Sequence, residues 1–174
     1  MRGCRSGEET VVREALANLG IDIAVEFDDP GDDFEGCLLL SPNTLLVAHT
    51  ERHSLGAICS FIPRALRLFK EVVLVDIPKA RRYMHPDTIF GRVSTDVALA
   101  YPPAFERVRL YTNGGSREID FLRFAEDRGM KIIPVSDFEQ ARLACTFVTI
   151  EPGKILHYDF ALDRQTKLLL AKEG

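Results

Sequence analysis

The β-branched run from Val72 to Ile77 constrains the fold most. A strand of that kind is buried on both faces, which a sheet permits only where other elements cover both of its sides. The residues before it supply part of that cover. Ser54 to Phe69 carries Leu55, Ile58, Cys59, Ile62, Leu66 and Phe69 at helical spacing, with Pro63 predicting a kink or a break. Before that helix, Gly36–Leu40 and Thr44–Ala48 are two apolar runs joined by Ser41-Pro42-Asn43, a hairpin signal. The order strand, strand, helix, strand over residues 36–77 is approached again between residue 145 and the end, as a repeat of pattern without sequence identity. A chain of 174 residues, 46% of them hydrophobic, can bury about two-thirds of its unfolded surface around one core. The expectation is a single domain over 1–174, α/β or α+β, with a mixed sheet.

The remaining elements follow from local signals. A helix is expected from Glu8 to Leu19, with Val12, Ala15, Leu16 and Leu19 on one face and Gly20 as its stop. Ile21 to Phe27 alternates as a strand would. Two or three strands are expected between Asp87 and Tyr111. Ser116 is placed to cap a helix running to about Arg128, with Glu118 near its positive end. Lys131 to Val135 reads as a strand, and Ser136 with Glu139 as a capping box. Cys145–Ile150 and Lys154–Asp159 flank Glu151-Pro152-Gly153 as a second hairpin, and a helix fills Arg164 to Glu173.

Composition excludes several classes. Lys and Arg number 22 against 26 Asp and Glu, so the net charge is −4 and a surface built for nucleic acid is not expected. No apolar run reaches the roughly 18 residues of a membrane span, and the N-terminus lacks the apolar core of a signal peptide. Cys4, Cys37, Cys59 and Cys145 are scattered, which suits a reducing cytoplasm better than a zinc site or a disulfide framework. The acidic stretch Asp28 to Asp33 lacks the offsets of a calcium loop and reads as a solvated turn, so no metal is expected.

Three groups of residues could do chemistry. His85-Pro86-Asp87 would, in an extended chain, set His85 and Asp87 on one face with Pro86 pointing away. A histidine beside a carboxylate is a poised acid–base pair, although the pattern also arises by chance. Glu35 stands at the edge of the acidic segment before Gly36, where a backbone can approach a ligand, or is one more solvated acid. Arg52, at a strand-to-helix junction, could grip a carboxylate with its planar fork or serve as a surface residue of the helix start.

Taken together, Phe34-Glu35-Gly36, Thr50-Glu51-Arg52-His53-Ser54 and Met84-His85-Pro86-Asp87-Thr88-Ile89-Phe90 resemble the arginine deiminase family in order and approximate spacing. Ile150-Glu151-Pro152-Gly153-Lys154-Ile155-Leu156-His157-Tyr158, followed by Thr166, Leu169 and Gly174, looks like the hairpin and helix that follow in that family. The resemblance covers roughly residues 26–174. It implies part of a pentein-type α/β propeller built from ββαβ modules. It also implies a hydrolase acting on C–N bonds of linear amidines, converting L-arginine and water to citrulline and ammonia without metal or organic cofactor. Carried over, Glu35 and Asp87 would hold the guanidinium, His85 would protonate the departing ammonia and then activate water, and Arg52 would take the α-carboxylate.

The departures are also specific. Pro86 stands where the family has leucine, and Cys37-Leu38 where it has Gly-Asp. The family nucleophile is a cysteine near the C-terminus, and Gly174 falls before that point. Cys145, inside an apolar run, and Cys37, close to Glu35, both read as structural, so the nucleophile is unassigned. The expectation is a deiminase-like chain that is incomplete or inactive, or alternatively a non-catalytic guanidine-binding or protein-interaction pentein domain. An open arc of blades is expected to find a partner: a second copy, the missing segments, or a complementary subunit.

Overall fold

A computed structural model describes residues 7–25, 34 and 36–173. Glu35, the acidic stretch Asp28–Asp33, Cys4 and the last two residues, Glu26 and Phe27, of the expected strand Ile21–Phe27 lie outside the described residues. The chain divides into two compact units, residues 1–30 and 31–174.

In the first unit, α1 (Glu8–Asn18) has Glu8 and Glu9 in its first turn, where carboxylates oppose the helix dipole favourably. Gly20, at φ 68°, terminates it as expected. The Gly20 and Ile21 amides return to the Ala17 and Leu16 carbonyls at 3.1 and 2.9 Å, a left-handed cap that glycine adopts without strain. No residue of α1 is buried. Ile21–Val25 forms no strand, which corrects the sequence expectation there.

The second unit contains three sheets among the described residues. β1 (Leu38–Ser41) and β2 (Thr44–His49) are the expected antiparallel hairpin, turning at Pro42-Asn43. α2 (Leu55–Ala65) begins at Ser54, whose hydroxyl accepts the Ala57 amide at 3.0 Å. It runs through Pro63 and ends at Ala65 instead of continuing to Phe69, the Arg67 and Leu68 amides closing on the Arg64 and Ala65 carbonyls three residues back. The chain then returns as β3 (Glu71–Asp76), parallel to β2 from Thr44↔Glu71 to His49↔Asp76. Val72, Val73 and Val75 are fully buried, each contributing about 1.5–3 kcal/mol, whereas Leu74 is half-buried and Asp76 exposed, so the expected burial on both faces holds only in part.

β4 (Phe90–Arg92) and β5 (Val97–Ala100) form a second antiparallel pair, and β8 (Lys131–Pro134) lies parallel to β5 after α3 (Phe121–Glu126). This is the same ββαβ order as β1-β2-α2-β3. It is split by a hairpin, β6 (Arg107–Thr112) and β7 (Gly115–Glu118), which joins the first sheet by pairing β6 antiparallel to β3. The clear second module is therefore residues 90–134, between the two segments in which the sequence suggested a repeat.

Here a second expectation is corrected. Ser116 does not cap a helix. It lies in β7 opposite Tyr111, because Asn113-Gly114 makes a two-residue hairpin turn. Asp120 caps α3 instead, accepting the Arg123 amide at 3.1 Å, and Glu118 pairs with Arg109 across the strands.

α4 (Asp137–Ala141) starts in the expected capping box of Ser136 and Glu139. β9 (Val148–Glu151) and β10 (Lys154–Leu156) form the expected hairpin on shorter strands, and α5 (Arg164–Leu170) follows. The core runs between the first two sheets through Leu46, Val73, Ile89, Phe90, Leu99 and Phe121. Gly91 is where the elements meet most closely. A Cβ there would lie 2.2 Å from the Cys145 carbonyl oxygen and 2.6 Å from the Phe147 ring. Among the described residues no helix is long and apolar enough to cross a membrane.

Candidate functional site

Arg52 and the segment carrying His85 and Asp87 follow the C-terminal ends of the parallel pair β2 and β3, the end at which open α/β sheets present ligand-binding loops. The junction from β2 to α2 is tightly fastened. Thr50 is buried, and its hydroxyl accepts the Arg52 amide at 2.9 Å. His53 is buried with Nδ1 bonded to the Ala48 carbonyl. Phe34 stacks on the His53 ring, centroids 4.7 Å apart, and touches Phe61 of α2 at 4.5 Å. With its backbone and neighbours fixed, Arg52 extends toward the segment that follows β3, where its Nη2 meets the Met84 sulfur at 3.7 Å.

That segment folds as two 3₁₀ turns, Arg81–Tyr83 and Pro86–Thr88. His85 itself is extended, at φ −128° and ψ 151°, and its carbonyl accepts both the Thr88 amide at 3.1 Å and the Thr88 hydroxyl at 2.6 Å. The extended geometry expected for His85-Pro86-Asp87 is thus corrected. Pro86 is buried at the first position of a 3₁₀ turn, where its missing N–H costs nothing, and Asp87 follows inside the turn. Strand alternation therefore does not set the relation of His85 to Asp87. Both are half-buried, as is Arg52.

Gln140, Thr146 and Asp137, all from later in the chain, hold this turn, and sequence reasoning assigned none of them a role there. Gln140, buried on α4, donates through Nε2 to the Arg82 carbonyl at 2.9 Å and the Thr88 carbonyl at 3.3 Å. The Thr146 hydroxyl donates to the Asp87 carbonyl at 3.2 Å. The Tyr101 hydroxyl donates to Asp137 at 2.7 Å, and Asp137 also pairs with Arg82 at 3.1 Å. The Tyr101 bond foremost, and then the Arg82 charge, holds the Asp137 carboxyl below its usual range. The one advance signal was the Ser136–Glu139 capping box, which fixes the α4 face on which Gln140 stands.

Glu139 is buried at the base of the same helix. Burial acts to raise its carboxyl pKa, but hydrogen bonds from Ser136, Thr166 and the Asp163 amide outweigh that and hold it below the usual value. Cys145, at 1% exposure, is shifted the other way. Burial first, then the charges of Asp87 and Glu139, raise its pKa and keep the thiol protonated at neutral pH. Cys37 is exposed, and desolvation raises its thiol pKa as well. Among the described residues no cluster of three or more His, Cys, Asp or Glu could hold a metal ion. A surface depression of about 470 Å³ is lined by Phe105, Glu106, Glu118 and Ile119 among others and by none of the candidate residues.

No family model matches the chain. It is 29% identical over 143 residues to the arginine deiminase of Mycoplasma capricolum subsp. capricolum, a match covering 70% of this chain and 36% of that protein. The crystal structure of AgrE in ternary complex with ornithine and NAD+ aligns with all of this chain and 24% of its own, at TM-score 0.74 and 22% identity. An AgrE mutant in binary complex with L-arginine aligns at TM-score 0.68 and 20% identity, over 100% of this chain and 24% of its own. Apo ArgZ, an arginine dihydrolase from the ornithine–ammonia cycle in cyanobacteria, aligns at TM-score 0.65 and 21% identity, over 97% of this chain and 24% of its own. The chain thus spans about a third of the curated relative and about a quarter of the solved ones. In sequence it is akin to the arginine deiminases, and it carries the pentein-type α/β fold of these arginine-modifying enzymes over the part of their length that it spans.

Proposed function

We propose that this chain carries the guanidinium-binding and acid–base half of an arginine deiminase-like site. Asp87 and Glu35 are the carboxylates that receive the planar guanidinium, which offers five N–H donors to acceptors an ammonium could not satisfy in the same plane. Arg52 takes the α-carboxylate. His85 gives its proton to the departing ammonia and then accepts one from the incoming water. The observation that supports this most directly is the reach of Arg52 to Met84, next to His85, across 32 positions of sequence. The reading calls for no cofactor, and its setting is the cytoplasm, in keeping with the scattered cysteines.

Deimination of this kind also needs a thiolate to attack the guanidinium carbon. Burial and the nearby carboxylates hold Cys145 as a neutral thiol, and Cys37 is shifted in the same direction. This favours the second reading, in which the isolated chain binds guanidines without turning them over. Calorimetric titration with L-arginine and with citrulline separates the possibilities. Arginine is expected to bind, with citrulline at least about tenfold weaker because its neutral ureido group forgoes the charge-assisted contacts. Asp87→Asn is expected to remove the preference, and citrulline release from arginine to be undetectable. Absence of arginine binding would refute the site. Turnover that is lost in Cys37→Ala or Cys145→Ala would identify a nucleophile and refute the non-catalytic reading.

A further inference from the structure

The two contacts that α4 makes with residues 81–88 differ in kind. Buried Gln140 grips the Arg82 and Thr88 carbonyls, and so fixes the backbone of the segment. Asp137 instead reaches the Arg82 side chain, Nη1 to Oδ1 at 3.1 Å, and the two side chains are 45 and 67% exposed. Ion pairs this accessible to water contribute little to stability.

Both partners are nevertheless fixed from behind. Asp137 Oδ1 also accepts the hydroxyl of buried Tyr101, directly after β5, at 2.7 Å. The Arg82 guanidinium carbon lies 4.6 Å from the centroid of the buried Tyr83 ring, and that ring stacks on Tyr101 with centroids 6.0 Å apart. The four side chains close a circuit, from Arg82 to Tyr83, Tyr101, Asp137 and back to Arg82. Arg82 and Tyr83 immediately precede Met84, whose sulfur meets Arg52 Nη2 at 3.7 Å, and His85. Backbone rotation at residues 82 and 83 therefore carries Met84 and His85 with it.

We propose that Asp137 is a positioning residue of the guanidine site, holding Arg82 and through it Met84 and His85 in the arrangement that ligand binding requires. The inference rests on the reading of Arg52, His85 and Asp87 as that site. It assigns two tasks to one helix: Gln140 holds the backbone of the segment, and Asp137 sets how its side chains stand. The signature is a loss of affinity without a matching loss of stability, because affinity scales with the fraction of molecules whose segment is competent. Asparagine at 137 still offers an oxygen to the Tyr101 hydroxyl, so Asp137→Asn removes the charge facing Arg82 and little else.

The test compares Asp137→Asn, Arg82→Gln and the double variant in the full chain. Glu118→Gln is the control, since Glu118 forms an exposed pair with Arg109 at 3.5 Å on β7. The ligand-free proteins are read by NMR through the Met84 methyl resonance, with Met130, packed against the core, as reference. Electrostatics alone would displace the Met84 signal in opposite directions in the two single variants, one having lost a negative charge and the other a positive one. Positioning displaces it in the same direction in both, and no further in the double variant than in the larger single. L-Arginine affinity by calorimetric titration is expected to fall about two- to fivefold in all three, the range that an exposed ion pair supplies. Their unfolding midpoints should stay within about 4 °C of the parent, and Glu118→Gln should change neither reading. Opposite or additive displacements, an unmoved Met84 signal, unchanged affinity in the variants, or a larger fall in midpoint would overturn the positioning role while leaving the site reading intact. Absence of L-arginine binding by the unsubstituted chain would overturn both.

Discussion

Gln140 donates through Nε2 to the Thr88 carbonyl at 3.3 Å, from a side chain only 1% exposed. The same nitrogen serves the Arg82 carbonyl at 2.9 Å, so one buried amide spans the segment that carries His85 and Asp87 and fastens it to α4. The turn is anchored on its apolar side by Tyr83, Pro86 and Ile89, all buried. On its polar side Gln140 and Thr146, more than fifty positions later, supply donors to its carbonyls.

Replacing Gln140 with methionine keeps the volume but takes this donor from the buried Thr88 carbonyl and the part-buried Arg82 carbonyl. The expected cost is about 1–3 kcal/mol in urea unfolding. The His85 ring resonances should shift more than those of His49, which pairs with Asp76 on the first sheet. A stability change near zero would show that Thr146 and Tyr101 suffice to hold the turn.

Gly91→Ala is expected to be among the most damaging single changes in the second unit. The new methyl would meet a backbone oxygen, the Cys145 carbonyl, which cannot rotate aside as the Phe147 ring can. Overpacking of this kind costs about 1–3 kcal/mol or more. Thermal unfolding gives the answer, and an unchanged midpoint would mean that the Cys145–Phe147 segment yields freely.

Arg52→Lys tests the carboxylate clamp without removing the charge. A lysine cannot reproduce the planar two-point grip, so the affinity for L-arginine should fall by about tenfold while the unfolding midpoint stays within a degree or two. Agmatine, which has no carboxylate, should bind both forms equally. Equal arginine binding by both forms would make Arg52 a surface residue of the α2 start.

Glu139 links stability to pH. Its carboxyl pKa in the folded chain lies below the unfolded value, so its stabilisation is fully present above about pH 4.3 and is lost as pH falls through the lower folded value. Glu139→Gln should therefore be less stable at neutral pH and show a flatter acid limb. Unfolding midpoints from neutral pH down to about 3 read this directly. Parallel acid limbs in the two proteins would assign the transition to other carboxylates.

Cys145 should resist thiol reagents in the folded chain. Its burial and the Asp87 and Glu139 charges both disfavour the thiolate, whereas Cys37 and Cys59 are exposed. Mass spectrometry after brief alkylation at neutral pH should find Cys145 unmodified until denaturant is added. Modification at a rate equal to that of Cys59 would show that the β4–Cys145 packing opens readily.

The local elements were legible from sequence because their signals are local. The β1–β2 turn, the Gly20 stop, the Ser54 and Ser136 caps and the β-branched strand β3 each depend on residues within a few positions of one another. The Ser116 helix was misread for the same reason. Ser116 and Glu118 satisfy a cap locally, but the free backbone edge of β6, itself paired to β3, draws those residues into a strand.

Order along the chain also indicated that Glu35, Arg52, His85 and Asp87 form one set, although Glu35 lies outside the described residues. The geometry of the set was not legible. Alternation in an extended chain would have set His85 and Asp87 on one face; instead Asp87 lies inside a 3₁₀ turn, because Pro86 favours its first position and Gln140 and Thr146 bind its carbonyls. The second ββαβ module was hidden likewise, since the β6–β7 hairpin interrupts it in sequence while pairing with a different sheet in space. Sequence by itself determined which short segments turn, extend or coil. The tertiary structure decided which edges pair and which carbonyls receive distant donors, because those contacts gain their energy only when residues dozens of positions apart are packed together and shielded from water.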